Sequence, residues 1–356
     1  MADKVKFGII GTGAIATMHA DALKKSRNAE LVAVFDQVTE RAQAFAEKYN
    51  VRAAADFESF LADKEVEAVT IATPTGIHGK VAVPAALAGK HILCEKPLDV
   101  TTDKADEIID ACHQSGVILM SVFQSRFVKN VGLIKQAIQA GRFGKIVLAS
   151  AQCKWFREQK YYDSASWRGT WALDGGGALM NQSIHTIDLL LYLNGDVEEV
   201  SALTGTLSHT GIEVEDNAVA ILKFKNGALG TIEGSTSCAP GFPRRVEISG
   251  TLGSVVLEDN KIIRWQFVND EPGDEEIRKN FGIGEVISGG GAGDPMAISS
   301  EGHRVQIEDL ADAILAGQKE VELSGLEGRR AVELICSIYK SAQSGAPVKI
   351  CGKCNK

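Results

Sequence analysis

Two proton-exchanging side chains, Lys96 and His185, stand in settings that hold them for chemistry. Lys96 lies in Glu95-Lys96-Pro97, directly after the apolar run His91-Ile92-Leu93-Cys94. Proline pushes the residue before it towards an extended backbone, and an X-Pro bond tolerates the cis form at low cost. His185 follows the glycine triplet Gly175-Gly176-Gly177, with Asn181 four residues before it and Asp188 three after. On a helix those three share one face, while Met180, Ile184, Ile187, Leu190 and Leu191 face the core. An imidazole flanked by an amide and a carboxylate is oriented. Taken alone, each residue also fits a plainer reading: a surface lysine ending a strand, and a structurally satisfied histidine.

The elements upstream favour chemistry for Lys96. Val5–Ile10 reads as a buried parallel strand running into Gly11-Thr12-Gly13-Ala14-Ile15-Ala16. This is a GxGxxA form of the dinucleotide fingerprint: a glycine for the tight turn, a glycine for close approach to pyrophosphate, and a small residue for helix–strand packing. The helix that follows presents free N–H groups and its positive dipole end to phosphate. A second strand, 31–35, ends at Asp36, 20 residues after Ala16, where a carboxylate takes ribose hydroxyls. That carboxylate would repel a 2′-phosphate and Gln37 offers no positive charge, so NAD is favoured over NADP.

Helices at 39–49, 56–63, 78–89 and 102–115 and strands at 68–72, 91–94 and 117–122 complete a Rossmann-type alternation. Thr73-Pro74-Thr75-Gly76-Ile77-His78 turns at the carboxyl edge of the sheet and borders the cofactor, with His78 most simply opening a helix. His19 and His113 occupy helical positions without an evident partner and read as structural.

After Val122 the pattern changes. A helix is predicted over 129–140, then strands at 145–156, 197–207, 216–224, 228–237, 243–249, 253–258 and 261–267. Their alternation and glycine-containing turns predict a large, mostly antiparallel sheet, open on one face unless something covers it. Residues 269–300 read as a long excursion, and helices over 301–316 and 326–344 close the chain. His303-Arg304 reads first as a helix start, with a substrate contact as the alternative. The fold class is therefore α/β, with a Rossmann domain over 1–122 and an α/β substrate and oligomerisation domain over 123–356, whose last helix can pack back on the first domain.

Composition narrows the function. A chain of 356 residues exceeds one core of ordinary size. A net charge of −8 argues against nucleic acid and anionic membranes as partners. No run approaches the ~20 apolar residues of a membrane span, and the start of the chain lacks a signal-peptide layout. Seven scattered cysteines suit a reducing cytoplasm. Cys351-Gly352-Lys353-Cys354 has CxxC spacing but neither a second pair nor a histidine partner, so it reads as a frayed tail and no metal is expected.

The fingerprint, Thr73-Pro74, Glu95-Lys96-Pro97 and the glycine-triplet-to-His185 segment together resemble the glucose–fructose oxidoreductase and inositol dehydrogenase family (Gfo/Idh/MocA) over nearly the whole chain. The resemblance implies an open C-terminal sheet that mediates homodimers or homotetramers. It also implies that Lys96 and His185 hold a reacting sugar hydroxyl beside the nicotinamide. His185 would then act as general base and Lys96 would stabilise the alkoxide; Lys96 as base stays open. Cofactor contacts are expected from Gly11, Thr12, Gly13, Ala14, Ile15, Asp36, Thr73, Pro74, His78, Glu95, Lys96, Gln124, Trp167 and Arg168. Substrate contacts are expected from Lys96, Tyr162, Arg168, Asn181 and His185, with Arg168 suited to a phosphate or a carboxylate.

Inositol dehydrogenase-like members carry aspartate where this chain has Asn181, which cannot take a proton, so inositol is the less favoured substrate. Tyr161–Trp171, Met180-Asn181-Gln182 and Ile212–Asp216 resemble UDP-N-acetylglucosaminuronate 3-dehydrogenases. The expected activity is NAD-dependent oxidation of a secondary hydroxyl of a sugar or nucleotide sugar to a ketone. The alternatives are another sugar or inositol dehydrogenase or reductase, an NAD-dependent glycosidase, and a non-catalytic NAD-binding regulator of sugar pathways.

Overall fold

The computed structural model describes residues 4–282 and 300–352. The chain divides into two compact units, Met1–Gln124 with Ser300–Arg329, and Ser125–Ser299 with Arg330–Lys356. The first unit is thus assembled from two stretches of sequence, and the predicted division at 122/123 does not include the second of them.

The first unit alternates as the sequence predicts, with one short strand, Arg52–Ala53, that it did not: β1 (Val5–Ile10), α1 (Ala14–Lys25), β2 (Ala29–Phe35), α2 (Thr39–Tyr49), β3 (Arg52–Ala53), α3 (Phe57–Ala62), β4 (Ala68–Ile71), α4 (His78–Leu87), β5 (His91–Cys94), α5 (Thr102–Ser115) and β6 (Leu119–Ser121). The strands form one parallel sheet in the order β3-β2-β1-β4-β5-β6. The central strands are buried and mostly apolar, as expected of a parallel sheet covered on both faces, and Ile10, Val69, Ile71, Ile92 and Leu119 pack with Phe60, Leu98 and Ile108. The strand order reverses between β1 and β4. In open α/β sheets the crevice beyond the strand ends at such a point is where ligands bind.

The second unit begins with α6 (Lys129–Gln139), β7 (Ile146–Lys154), α7 (Gln159–Asp163), a π-helical turn over Ala178–Ser183, and α8 (Ile184–Asn194). It continues with β8 (Val197–Gly205), β9 (Asn217–Phe224), β10 (Leu229–Ser235), β11 (Arg245–Gly250), β12 (Gly253–Glu258), β13 (Lys261–Phe267) and α9 (Asp274–Lys279). The chain then supplies α10 (Glu301–Leu315) to the first unit. The division falls inside α11 (Gly325–Ser344), and β14 (Val348–Lys349) joins the second sheet. That sheet runs β13-β12-β11-β7-β10-β9-β8-β14. All its neighbours are antiparallel except β10 with β7.

Alternation explains the sheet's two faces. Along β9, Ala218, Ala220, Leu222 and Phe224 are buried while Val219, Ile221 and Lys223 are exposed. α8 packs on β7 and β11. Leu148, Val219, Ile221 and Leu229 are exposed within this unit, and the register places Leu229 beside Leu148.

The predicted excursion at 269–300 starts with a short helix, α9. Asp274 at its start accepts Arg142 NH1 and NH2 at 2.8 and 2.6 Å and Trp265 Nε1 at 2.7 Å. Residues 283–299, including Gly289–Gly293, lie outside the described residues, as does Cys354 of the CxxC pair. No helix among the described residues is long and apolar enough to cross a membrane.

Candidate active site

The dinucleotide loop is built around two glycines with different tasks. Gly11 has φ +90°, and a Cβ there would lie 2.9 Å from the Ala72 carbonyl oxygen, so the turn requires glycine. Gly13 caps α1 without a side-chain bond, and a Cβ on it would meet nothing within 4 Å. That leaves open space above uncapped N–H groups, the combination that binds a pyrophosphate. Asp36, at the end of β2, accepts both the backbone N–H and the hydroxyl of Thr12 on Oδ2 at 2.8 Å, and Val38 N–H on Oδ1 at 2.9 Å. The ribose-binding candidate therefore also pins the loop. The buried Thr73 hydroxyl and the buried Gln124 carbonyl oxygen have no hydrogen-bond partner among the described residues, leaving both able to receive a ligand. These residues fit a dinucleotide.

His78 is buried, with Nε2 3.0 Å from the Thr73 carbonyl and Nδ1 2.9 Å from the Pro97 carbonyl. It braces two loops at the carboxyl edge of the sheet. Between β5 and α5 lies Lys96, half-buried and joined to Pro97 by a cis peptide bond. Glu95 beside it is buried: Oε1 lies 2.8 Å from His19 Nε2 and 3.3 Å from His303 Nε2, and Oε2 accepts the Lys96 N–H at 3.1 Å. Burial alone would raise the Glu95 pKa, but the hydrogen bonds from His19 and His303 overcome it and hold the carboxyl well below the usual range. Burial pushes the His19 pKa down, outweighing the opposing pull of Glu95.

Among the described residues, His19, Glu95 and His303 are also the one group with metal-ligand chemistry. Their donor atoms, however, point at one another at hydrogen-bond distance, with His19 Nδ1 meeting Thr70 Oγ1 at 2.9 Å. They close a hydrogen-bonded network that spans the ends of β4 and β5 and α10.

In the second unit the glycine triplet enters the π-helical turn. A Cβ on Gly177 would lie 1.8 Å from the Glu215 carbonyl oxygen, so the small residue admits neighbouring backbone. Glu215 lies under the turn, accepting Gly177 N–H at 3.0 Å, Leu179 N–H at 2.8 Å and Tyr339 OH at 3.0 Å. Burial outweighs these bonds and lifts its pKa to about 7.

Asn181 donates to Asp174, and its Oδ1 accepts Gln182 Nε2 at 2.6 Å. Gln182 Nε2 also reaches Tyr161 OH at 2.8 Å, and Arg157 NH2 donates to Gln182 Oε1 at 2.8 Å. Arg168 donates to Tyr161 OH at 2.6 Å and lies over the rings of Tyr161 and Trp167, 4.3 and 4.5 Å from their centroids. Arg168, Trp167 and Asn181 thus belong to one polar cluster. His185 is the second residue of α8, half-buried, four residues beyond Asn181. Asp188 is gripped by Arg126, Nε to Oδ2 at 2.9 Å and NH2 to Oδ1 at 2.6 Å.

The tyrosine in the cluster is Tyr161. Tyr162 is buried with its hydroxyl 2.9 Å from Thr236 Oγ1. Sequence reasoning also missed Arg157, Gln182, Asp174, Glu215, His19 and the Glu95 contact of His303. Most of their partners are distant in sequence, and only the Met180-Asn181-Gln182 and Ile212–Asp216 runs pointed near them.

Two family models cover most of the chain. Residues 5–123 match the oxidoreductase family model with the NAD-binding Rossmann fold, and residues 131–256 match the GFO/IDH/MocA C-terminal domain. The chain belongs to the GFO/IDH/MocA oxidoreductases. It is an NAD-dependent enzyme of the dehydrogenase type. Myo-inositol 2-dehydrogenase of Thermotoga maritima is 30% identical over 347 residues, 93% of this chain and 98% of that one. The WlbA dehydrogenase of Bordetella pertussis, solved with NADH and UDP-GlcNAcA, is 34% identical with a TM-score of 0.87, covering 98% of both chains. WlbA of Chromobacterium violaceum, in complex with the same two molecules, is 32% identical with a TM-score of 0.86, over 98% of this chain and 97% of that one.

Proposed function

We propose that this protein oxidises a secondary hydroxyl of a nucleotide sugar to a ketone, with C3 of UDP-N-acetylglucosaminuronate as the favoured position. The observation that carries this reading is the 34% identity over 98% of the chain to a WlbA dehydrogenase solved with UDP-GlcNAcA. The polar cluster around Arg168, Tyr161, Asn181 and Gln182 supports it, because an acidic sugar offers a carboxylate for a guanidinium and hydroxyls for amides.

NAD, when bound, supplies the acceptor for the hydride leaving the carbinol carbon. His185 takes the hydroxyl proton as the carbon–oxygen double bond forms, and Lys96 donates a hydrogen bond to the same oxygen, stabilising its developing negative charge. Asn181, which cannot take a proton, belongs to substrate binding. Trp167 walls the nucleotide side, and Thr73, Pro74 and Gln124 flank the cofactor. A second reading, oxidation of an inositol, is favoured by the 30% identity to myo-inositol 2-dehydrogenase.

The exposed apolar positions Leu148, Val219, Ile221 and Leu229 support a homodimer or homotetramer built on the open sheet. The six cysteines among the described residues are free thiols, which supports a cytoplasmic location.

The test is NADH formation from NAD with UDP-N-acetylglucosaminuronate, UDP-N-acetylglucosamine, myo-inositol and levoglucosan, with and without 2-oxoglutarate to reveal a retained, recycled cofactor. Turnover confined to the acidic nucleotide sugar is expected. Faster turnover of myo-inositol would overturn the substrate assignment.

A further inference from the structure

Both oxygens of Glu95 are occupied by protein, and the residue it holds next is Lys96. Oε2 accepts the Lys96 N–H at 3.1 Å, while Oε1 is shared by His19 Nε2 at 2.8 Å and His303 Nε2 at 3.3 Å. All three side chains are buried, with exposures of 0% for His19, 6% for Glu95 and 1% for His303. The two imidazoles meet edge to face with centroids 4.7 Å apart. His303 Nδ1 meets no hydrogen-bond partner among the described residues. A neutral imidazole has one N–H to give, so its proton is best used on Nε2, towards Glu95. His19 uses its other nitrogen on Thr70 of β4, at 2.9 Å.

The network ties together α1, which opens at the dinucleotide loop, the carboxyl ends of β4 and β5, and α10. α10 is itself fastened to this unit by Gln306 Nε2 donating to the Ser121 carbonyl at 3.0 Å and by Asn28 Nδ2 donating to the Glu308 carbonyl at 2.9 Å.

We infer that His19 and His303 are positioning residues for Lys96, acting by locking the Glu95 carboxylate against the Lys96 backbone. The inference rests on the proposed role of Lys96 at the reacting hydroxyl. A buried carboxylate is costly unless hydrogen-bonded, and two imidazole donors on one oxygen leave the second free to fix the Lys96 N–H. The end of β5 is then braced from α1 and α10 simultaneously. Loss of either donor leaves Glu95 short of partners and lets the lysine drift, and a misplacement of about 1 Å costs on the order of 100-fold in rate.

The test compares full-length Lys96→Ala, Glu95→Gln, His303→Leu and His303→Gln, with NAD and whichever sugar of the panel above the wild type oxidises fastest. His303→Leu and Glu95→Gln are expected to lower kcat by about 10- to 100-fold, with sugar KM and NADH Kd within about twofold of wild type. His303→Gln, whose amide nitrogen can replace Nε2–H, should recover most of the rate. In a Lys96→Ala background, His303→Leu should add no further loss.

If Lys96→Ala is inactive while His303→Leu and Glu95→Gln keep the wild-type kcat, the positioning role is wrong and the dehydrogenase reading stands. The role is equally overturned if the two variants merely melt earlier or bind NADH more weakly. Wild-type turnover by Lys96→Ala, or no turnover of any sugar by the wild type, would instead remove the parent reading and this inference with it.

Discussion

The amide nitrogen of Asn181 donates to Oδ1 of Asp174, whose other oxygen accepts the Gly169 N–H at 2.9 Å. Asp174 is 1% exposed, so this carboxylate depends on donors around it. An aspartate at position 181 would face it with a second carboxylate. Asn181→Asp should therefore raise the pKa of the pair, because two adjacent carboxylates cannot both ionise cheaply. A raised folded-state pKa gives stability that is present at low pH and lost as pH climbs through the folded value. The variant should match wild type near pH 4 and fall behind by on the order of 2 kcal/mol at pH 8, read as Tm against pH.

Lys96→Ala and His185→Ala should each cut turnover by about 10²- to 10⁴-fold, the range for positioned acid–base groups. NADH binding, followed by fluorescence titration, should be largely retained in His185→Ala. Near wild-type turnover in both would show that the proton is handled elsewhere.

Asp36 holds Thr12 through two hydrogen bonds and stands where ribose hydroxyls are recognised. Asp36→Ala should weaken NADH binding by about 10- to 100-fold, as hydrogen bonds to a charged group contribute about 1.5–3 kcal/mol. NADPH affinity should fall less or rise, because a repulsive charge has gone. Paired Kd titrations decide the matter: an unchanged NADH to NADPH ratio would deny Asp36 the selectivity role.

Glu215 gives a pH signature of its own. Its folded pKa of about 7 lies above the ordinary glutamate value of 4.5, so it contributes full stability at acid pH and loses it between about pH 4.5 and 7 as the carboxylate charges in the unfolded chain first. The difference corresponds to about 3 kcal/mol. Glu215→Gln cannot titrate. The gap between its unfolding free energy and that of wild type should shift by that amount, to the wild type's disadvantage, across a urea series from pH 4.5 to pH 7.5.

What the sequence reveals follows the range of the interactions. The loop at Gly11–Ala16, Asp36 and the Glu95-Lys96-Pro97 corner are legible because each is a local solution to a backbone problem. β9 is legible because one face of its sheet is covered, so apolar and exposed residues alternate. α7, of five residues, carries too few turns to show a period. The π-helical turn at Ala178–Ser183 is set by Glu215 and Tyr339, whose places in the chain give no hint of it.

Choosing Tyr161 over its neighbour needs the facing of a five-residue helix, which only its partners Arg168 and Gln182 reveal. His19 read as a histidine without a partner because Glu95 lies 76 residues away in sequence, and His303 lies 208 residues beyond Glu95.

Because α10 belongs with the first 124 residues, the nucleotide-binding unit is not a contiguous gene segment. During synthesis its sheet leaves the ribosome long before Ser300–Arg329 exist. At roughly 5–20 residues per second the delay is on the order of ten seconds or more. Throughout that interval Glu95 lacks His303, and Asn28 lacks the α10 carbonyl it later holds. A stop codon placed after Gln124 would therefore release an incomplete nucleotide-binding unit, and a heterologous fusion of that unit would have to carry the later segment as well.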